Sequence, residues 1–207
     1  MPYRLRFGFF LLLLSLIALY DLFRNRSRAR KWREYSFLLL GGACGALFGA
    51  INDLAITSRI SPDYFVLGKA IPGGEGFRER VLLLGLQAGL GPGIIGGAFY
   101  LYMNTRKREV PSIPFPALIV HLGKPLVGAA GFALLLPLCF SSTDPMGFRF
   151  ELRGLLTPDE TARFLKVWWI HCGIYFGLLV GLLWGAASIQ RGRRRLAEPA
   201  EAKIAIS

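Results

Sequence analysis

Apolar residues in this chain gather in five blocks, 7–23, 36–57, 81–103, 117–140 and 167–189, separated by short polar and basic segments. Each block is close to the roughly 20-residue helix that crosses a hydrocarbon core of about 30 Å. The pattern predicts an all-α, polytopic membrane bundle of five transmembrane helices. The alternative has four, with 7–23 as an N-terminal segment that does not span. Residues 1–190 then make a single transmembrane domain, and the basic tail 191–207 is expected to be disordered.

Within the blocks, glycines recur every fourth residue. Gly41, Gly45 and Gly49 form one stripe, Gly85, Gly89, Gly93 and Gly97 a second, and Gly173, Gly177, Gly181 and Gly185 a third. A four-residue spacing keeps them on one helix face. In a membrane such stripes let backbones approach closely. Three stripes exceed the obvious need of one bundle, so one is expected to be free for a second copy or a partner membrane protein. Pro92 in the third block is expected to kink its helix.

The links carry start signals. Ser61-Pro62-Asp63 predicts a short helix from Pro62 to about Lys69, with Ser61 as cap. Thr157-Pro158-Asp159-Glu160 has the capping-box order and predicts a helix that runs into the last block. Both are expected as outer-face helices. Phe148, Phe150 and Leu152 alternate with charged residues, which weakly suggests a strand.

Composition confirms the membrane class and narrows little else. The chain has 207 residues, 53% of them hydrophobic and 18% charged. A soluble domain carries about 25% charge. The net charge of +12 sits in short segments beside the blocks and no nucleic-acid recognition motif accompanies it, so nucleic acid is not an expected partner. The expected partners are the lipid bilayer and, at the basic cytoplasmic segments, anionic lipids. Fourteen Lys and Arg lie in 24–35, 104–116 and 190–207, against ten in 1–6, 58–80 and 141–166. The richer side is expected to be cytoplasmic, which puts the N-terminus out and the C-terminus in. The start resembles a secretory signal, but no small-x-small site follows and six basic residues do. Cys44, Cys139 and Cys172 are odd in number and lie in apolar blocks, which argues against a disulfide framework. No metal-ligand spacing, phosphate loop or cofactor motif is present, so no cofactor is expected.

Ionisable residues inside the blocks are the candidate chemistry, because charge in lipid needs a partner. Asn52 and Asp53 extend the first glycine stripe and should face the bundle. At about 1.5 Å per residue, Asp53 and His171 lie roughly 9 and 10 Å from the middle of their spans, toward the same side. Tyr175 shares a face with His171. On the other side Asp21, His121 and Lys124 fall at matched depth, which predicts a second cluster. Either pair can be purely structural. A histidine also titrates near neutral pH and can carry protons along a polar track.

The run IND-LAIT-SRISPDYF resembles a segment of a family of uncharacterised bacterial multi-pass membrane proteins. Its pattern is Asp-Gln-x-Thr at the end of a glycine-rich helix, then Ser-Pro-Glu-Tyr-Phe. Asn52, Asp53, Thr57, Ser61, Pro62, Tyr64 and Phe65 match in kind. Leu54 replaces the Gln, Asp63 replaces the Glu, and one extra residue separates Asp53 from Thr57. WWIHCGIYFG, with His171 and Tyr175, is similar to that family's last helix. The resemblance implies a bacterial inner-membrane setting and no activity. Three functions compete: a small transport or channel-like protein with a polar site at Asp53 and His171, a non-catalytic accessory or assembly subunit, and a membrane-embedded enzyme. The last has least behind it, because no nucleophile–base pair or metal cluster is visible.

Overall fold

Two pairs of antiparallel helices, each locked by glycine, build the molecule. The structure, a computed structural model, describes residues 3–26, 31–106 and 109–204, without the side chains of 3–11, 13–14 and 199–204. Helix α1 is Tyr3–Asn25 and α2 is Lys31–Ala50. A π-helix, Ile51–Thr57, prolongs α2 and leads through α3, Ser58–Ile60, to α4, Pro62–Val66. Helix α5 is Phe77–Thr105 and α6 is Phe115–Ile119. A 3-10 turn, Val120–Leu122, joins α6 to α7, Gly123–Phe140. Helix α8 is Phe148–Glu151 and α9 is Pro158–Ile204.

In the first pair, α2 packs on α5 with Gly41 against Gly93, Gly45 against Gly89 and Gly49 against Gly85. A methyl on Gly41 would stand 2.7 Å from the Gly93 carbonyl oxygen, and one on Gly85 would stand 2.6 Å from that of Gly49. In the second pair, α7 packs on α9 with Gly173 against Phe132, Gly177 against Gly128 and Gly181 against Lys124. Gly97 meets Leu38, and Gly185 makes room for the Tyr100 ring. All three stripes are therefore used inside the chain. The stripe expected to be free for a partner is not.

The pairs are tied to each other near both ends. At one end Tyr100 Oη donates to the Gly181 carbonyl at 3.3 Å. Nearby, Gln190 and Arg193 both donate to the Met103 carbonyl, at 3.0 and 2.9 Å. Arg193 also donates to Val110 and Pro111. Met103 lies in the last turn of α5, where carbonyls have no intrahelical donor, so Arg193 acts as a side-chain cap from another helix. Asn104 holds the following loop by two bonds to the Ile113 backbone. At the other end an aromatic cluster that includes Tyr64, Phe65, Phe148 and Phe164 joins α4, α8 and α9.

Among the described residues, four helical stretches are long and apolar enough to cross a membrane: Lys31–Ile60, Phe77–Thr105, Phe115–Phe140 and Pro158–Glu198. Large apolar side chains point outward along them, such as Leu138 at 82% and Leu134 at 71% exposure. Soluble monomers rarely expose apolar surface on this scale. The expected first span, 7–23, lies in α1, and its side chains up to Leu14 fall, apart from Leu12, outside the described residues. Ser15 and Tyr35 share a hydrogen bond of 2.7 Å that joins α1 to α2.

Several local expectations need correction. The helix after Ser61 ends at Val66, and the Ser61 hydroxyl is buried with no cap bond. Phe148–Glu151 is helical rather than extended, because the Asp144 carboxylate accepts from the amides of Phe148 and Arg149. The fourth block is broken by a 3-10 turn, since Pro125 has no N–H for the His121 carbonyl. Helix α9 runs on through the basic stretch expected to be disordered, and Arg193 there is 1% exposed. At about 1.5 Å per residue it is about 70 Å long, more than twice the roughly 30 Å hydrocarbon core of a bilayer. The Thr157–Glu160 capping box forms, with Thr157 N to Glu160 Oε2 at 2.8 Å and Glu160 N to Thr157 Oγ1 at 3.3 Å. The three cysteines are free thiols.

The glycine contacts give a graded test. Gly45→Leu should force α2 from α5 and cost at least about 1–3 kcal/mol in an unfolding titration. Gly131→Ala, at a helical site with open space around it, should be neutral or stabilising by about 0.5–1 kcal/mol. Equal sensitivity at both positions would refute this packing.

Candidate functional site

The site begins with a change in helix winding. The span from Lys31 leaves α geometry at Ile51 and winds as a π-helix to Thr57, with the Ser58 amide bonded five residues back to the Asp53 carbonyl. A π turn holds more residues than an α turn and is frequently found at functional sites. Its wider turn buries Asn52, Asp53 and Thr57 together. The Thr57 hydroxyl donates to the Asn52 carbonyl at 3.0 Å, and Asn52 Nδ2 donates to Asp53 Oδ1 at 2.9 Å.

Asp53 Oδ1 meets His171 Nε2 of α9 at 3.1 Å. The opposite ring nitrogen, Nδ1, lies 2.9 Å from the Val167 carbonyl oxygen. A carbonyl only accepts, so Nδ1 carries a proton. The Nε2–Oδ1 contact then requires one further proton, held either by the imidazole or by the carboxyl. The pair is an imidazolium with a carboxylate, or a neutral imidazole with a carboxylic acid. It is electrically neutral overall in both forms. Adding or removing a proton breaks the bond and leaves a net charge at a site where Asp53 is 5% exposed.

Aromatic rings fix the imidazole. Tyr64 stacks on it with centroids 4.8 Å apart and planes 19° apart, and Phe65 meets it edge-on at 6.3 Å. Burial first, then the charges of Tyr175 and Asp53, push the Tyr64 hydroxyl above the usual phenol range, so this ring stays neutral. Asp53 Oδ2 takes no hydrogen bond from the described residues.

On its other side the pair faces a cavity of about 320 Å³ between the two helix pairs. Asn52, Asp53, His171 and Tyr175 line one end, and Tyr100 and Leu122 the other. The walls between are apolar, including Cys44, Phe48, Pro92 and Leu178. Ile95, Tyr175 and Leu179 line it and are also exposed, at 68%, 58% and 54%, so it opens sideways between α5 and α9.

Of the second expected cluster, His121 and Lys124 are close enough for their charges to interact, and Asp21 lies apart from them. Asp21 accepts from Asn25 Nδ2 and the Lys31 amide, both at 2.7 Å. Lys124 lies over the Trp184 ring at 5.1 Å. The reason is placement, since α1 packs on α2 while Lys124 belongs to the α7–α9 pair. His121 lines a separate surface pocket beside Ser188, Arg191 and Arg195. Sequence reasoning did not assign Tyr64, Tyr100 or Arg193 to any site. Tyr64 carried a signal, because it follows a helix start at the depth of Asp53. Arg193 had none, as it sits in a run of arginines that reads as a topology signal.

The fold and site together define a class: an all-helical chain whose described residues include four helices of membrane-spanning length and composition, holding a buried carboxylate–imidazole pair beside a laterally open apolar cleft. No protein-family model, curated protein or solved structure matches the chain.

The proton count can be checked directly. Asp53→Asn should keep the contact, with Asn52 flipped and the new amide donating to Nε2. His171 should then stay neutral and protonated on Nδ1 in ¹⁵N spectra. Asp53→Leu strands the imidazole and should cost roughly 3–5 kcal/mol of stability. An Nε2-protonated neutral ring in Asp53→Asn would overturn the assignment.

Proposed function

We propose that this chain is a small integral membrane protein of the transport or ligand-binding type. It takes a molecule dissolved in the bilayer into the cleft between its helix pairs. The observation that supports this is the cleft itself: a 320 Å³ apolar slot with an exposed flank and a neutral, proton-sharing polar pair at one end. Ligand sites are typically about 300–1,000 Å³, mostly apolar, with a few placed polar groups. The polar end offers Asp53 Oδ2 as an acceptor, so the favoured ligand is an apolar chain ending in a hydroxyl or amine. An intramembrane carboxylate and histidine also suit proton-linked movement of that ligand. A polar ion path is less well supported, because Tyr64, Phe65 and Phe164 close the site behind His171 and the cleft walls are apolar. On this reading α1 is a fifth span, the chain sits in a bacterial inner membrane, and the 58–80 loop faces outward with the helix starts at Pro62 and Pro158. The accessory-subunit reading loses its main support, since the glycine stripes are occupied within the chain.

Binding of a dansyl-labelled decylamine to the purified protein in detergent should be saturable. Ala88→Phe, which fills the cleft from α5, should weaken it at least about tenfold. Asp53→Asn should remove the preference for the amine over a matched carboxylic acid. Absence of saturable binding, together with a pH-dependent ion flux in proteoliposomes, would replace this reading with an ion path. For topology, a cysteine at the exposed Lys69 in a background lacking the native thiols should react with an impermeant maleimide added outside cells. Labelling only after permeabilisation would reverse the orientation.

A further inference from the structure

A second pocket, of about 500 Å³, lies at the basic end of α9. One wall is Ile113, Pro114 and Ala117, which are apolar and lie just before and within α6. The other wall is one face of α9, with Ser188, Arg191 and Arg195 spaced by three and four residues. His121 completes the lining, and its Nδ1 is buried without a hydrogen-bond partner. Among the described residues no carboxylate lines the pocket. Lys124 is close enough to Arg191 for their charges to interact.

The arginines of this stretch divide the work. Arg193 is buried and its guanidinium is spent on the carbonyls of Met103, Val110 and Pro111. Arg191 and Arg195 face the pocket instead. Arg191 has one long contact, 3.5 Å to the Ser188 hydroxyl, and Arg195 makes no hydrogen bond to the described residues. The Ser188 hydroxyl donates its proton to the Trp184 carbonyl, which leaves two guanidinium forks and an imidazole nitrogen as the groups that suit a phosphate, which arginine holds through paired N–H donors. Basic pockets between membrane helices bind lipid headgroups in the same way.

We propose that this pocket binds the phosphate of an anionic phospholipid, with Arg191 and Arg195 on the phosphate and the Ile113–Ala117 wall along the start of the acyl chains. The pocket lies just past the apolar stretch that ends at Ile189, at the level where headgroups sit. It is separate from the cleft at Asp53, so either reading can fail without the other.

The test uses the full chain in a neutral detergent, with thermal unfolding followed by tryptophan fluorescence. Phosphatidylglycerol should raise the midpoint in a saturable manner, and phosphatidylcholine should not. Removing a basic residue near a headgroup costs about fivefold in affinity, so R191Q/R195Q should weaken the effect roughly twentyfold. Arg194→Gln, which does not line the pocket, should change it less than twofold. Inorganic phosphate giving the same stabilisation would uphold the phosphate site and make its occupant a soluble one. Equal response to phosphatidylcholine, or an equal loss in Arg194→Gln, would overturn the proposal. Should the double variant unfold, native mass spectrometry of the wild type decides. Retained phosphatidylglycerol in a fixed ratio supports the site, and its absence after gentle extraction sinks it.

Discussion

A single proton shared between Asp53 and His171 is the constraint on which the rest of the structure turns. A carboxylate in a low-dielectric interior is tolerated only when its charge is matched. The Val167 carbonyl fixes which imidazole nitrogen faces the acid. Asn52 supplies a second donor to the same carboxylate oxygen. Tyr64 and Phe65 hold the ring in plane and exclude water from its far side. Every one of these groups comes from the π-helix, from α4 or from α9, so the pair also decides how those elements meet.

Glycine sets the remaining geometry. Within each pair the backbones come so close that a methyl group has no room, and the pairs behave as rigid two-helix units. Between the pairs no such stripe exists. They touch through side chains near their ends, at Tyr100 and Arg193 on one side and at the Asp53 cluster on the other. A cleft is the necessary result of joining two closely packed units at two separate places. Its apolar lining follows from the same sequence faces that would otherwise meet lipid.

Much of this was legible in the chain. Block length gave the four long apolar stretches, four-residue spacing gave the glycine faces, and counting residues along the helices paired Asp53 with His171 by depth. Depth alone could not pair Asp21 with Lys124 correctly, because it carries no information about which helices are neighbours. The glycine stripes were legible as packing faces, but their partners were not, so the idea of a spare stripe arose. The π-helix has no compositional signature. Arg193 was hidden for the opposite reason, since its neighbours Arg194 and Arg195 share its type and not its surroundings.

The two ties also act as a ruler. His171 and Gly181, where the pairs meet at either end of the cleft, are ten residues apart on one unbroken helix, a separation of about 15 Å. Side-chain motion can widen the slot but cannot lengthen it without unwinding α9. An apolar chain that reaches from the acid to the Tyr100 ring fits within it. On the proposed reading, a longer one bends out through the flank between Ile95 and Leu179.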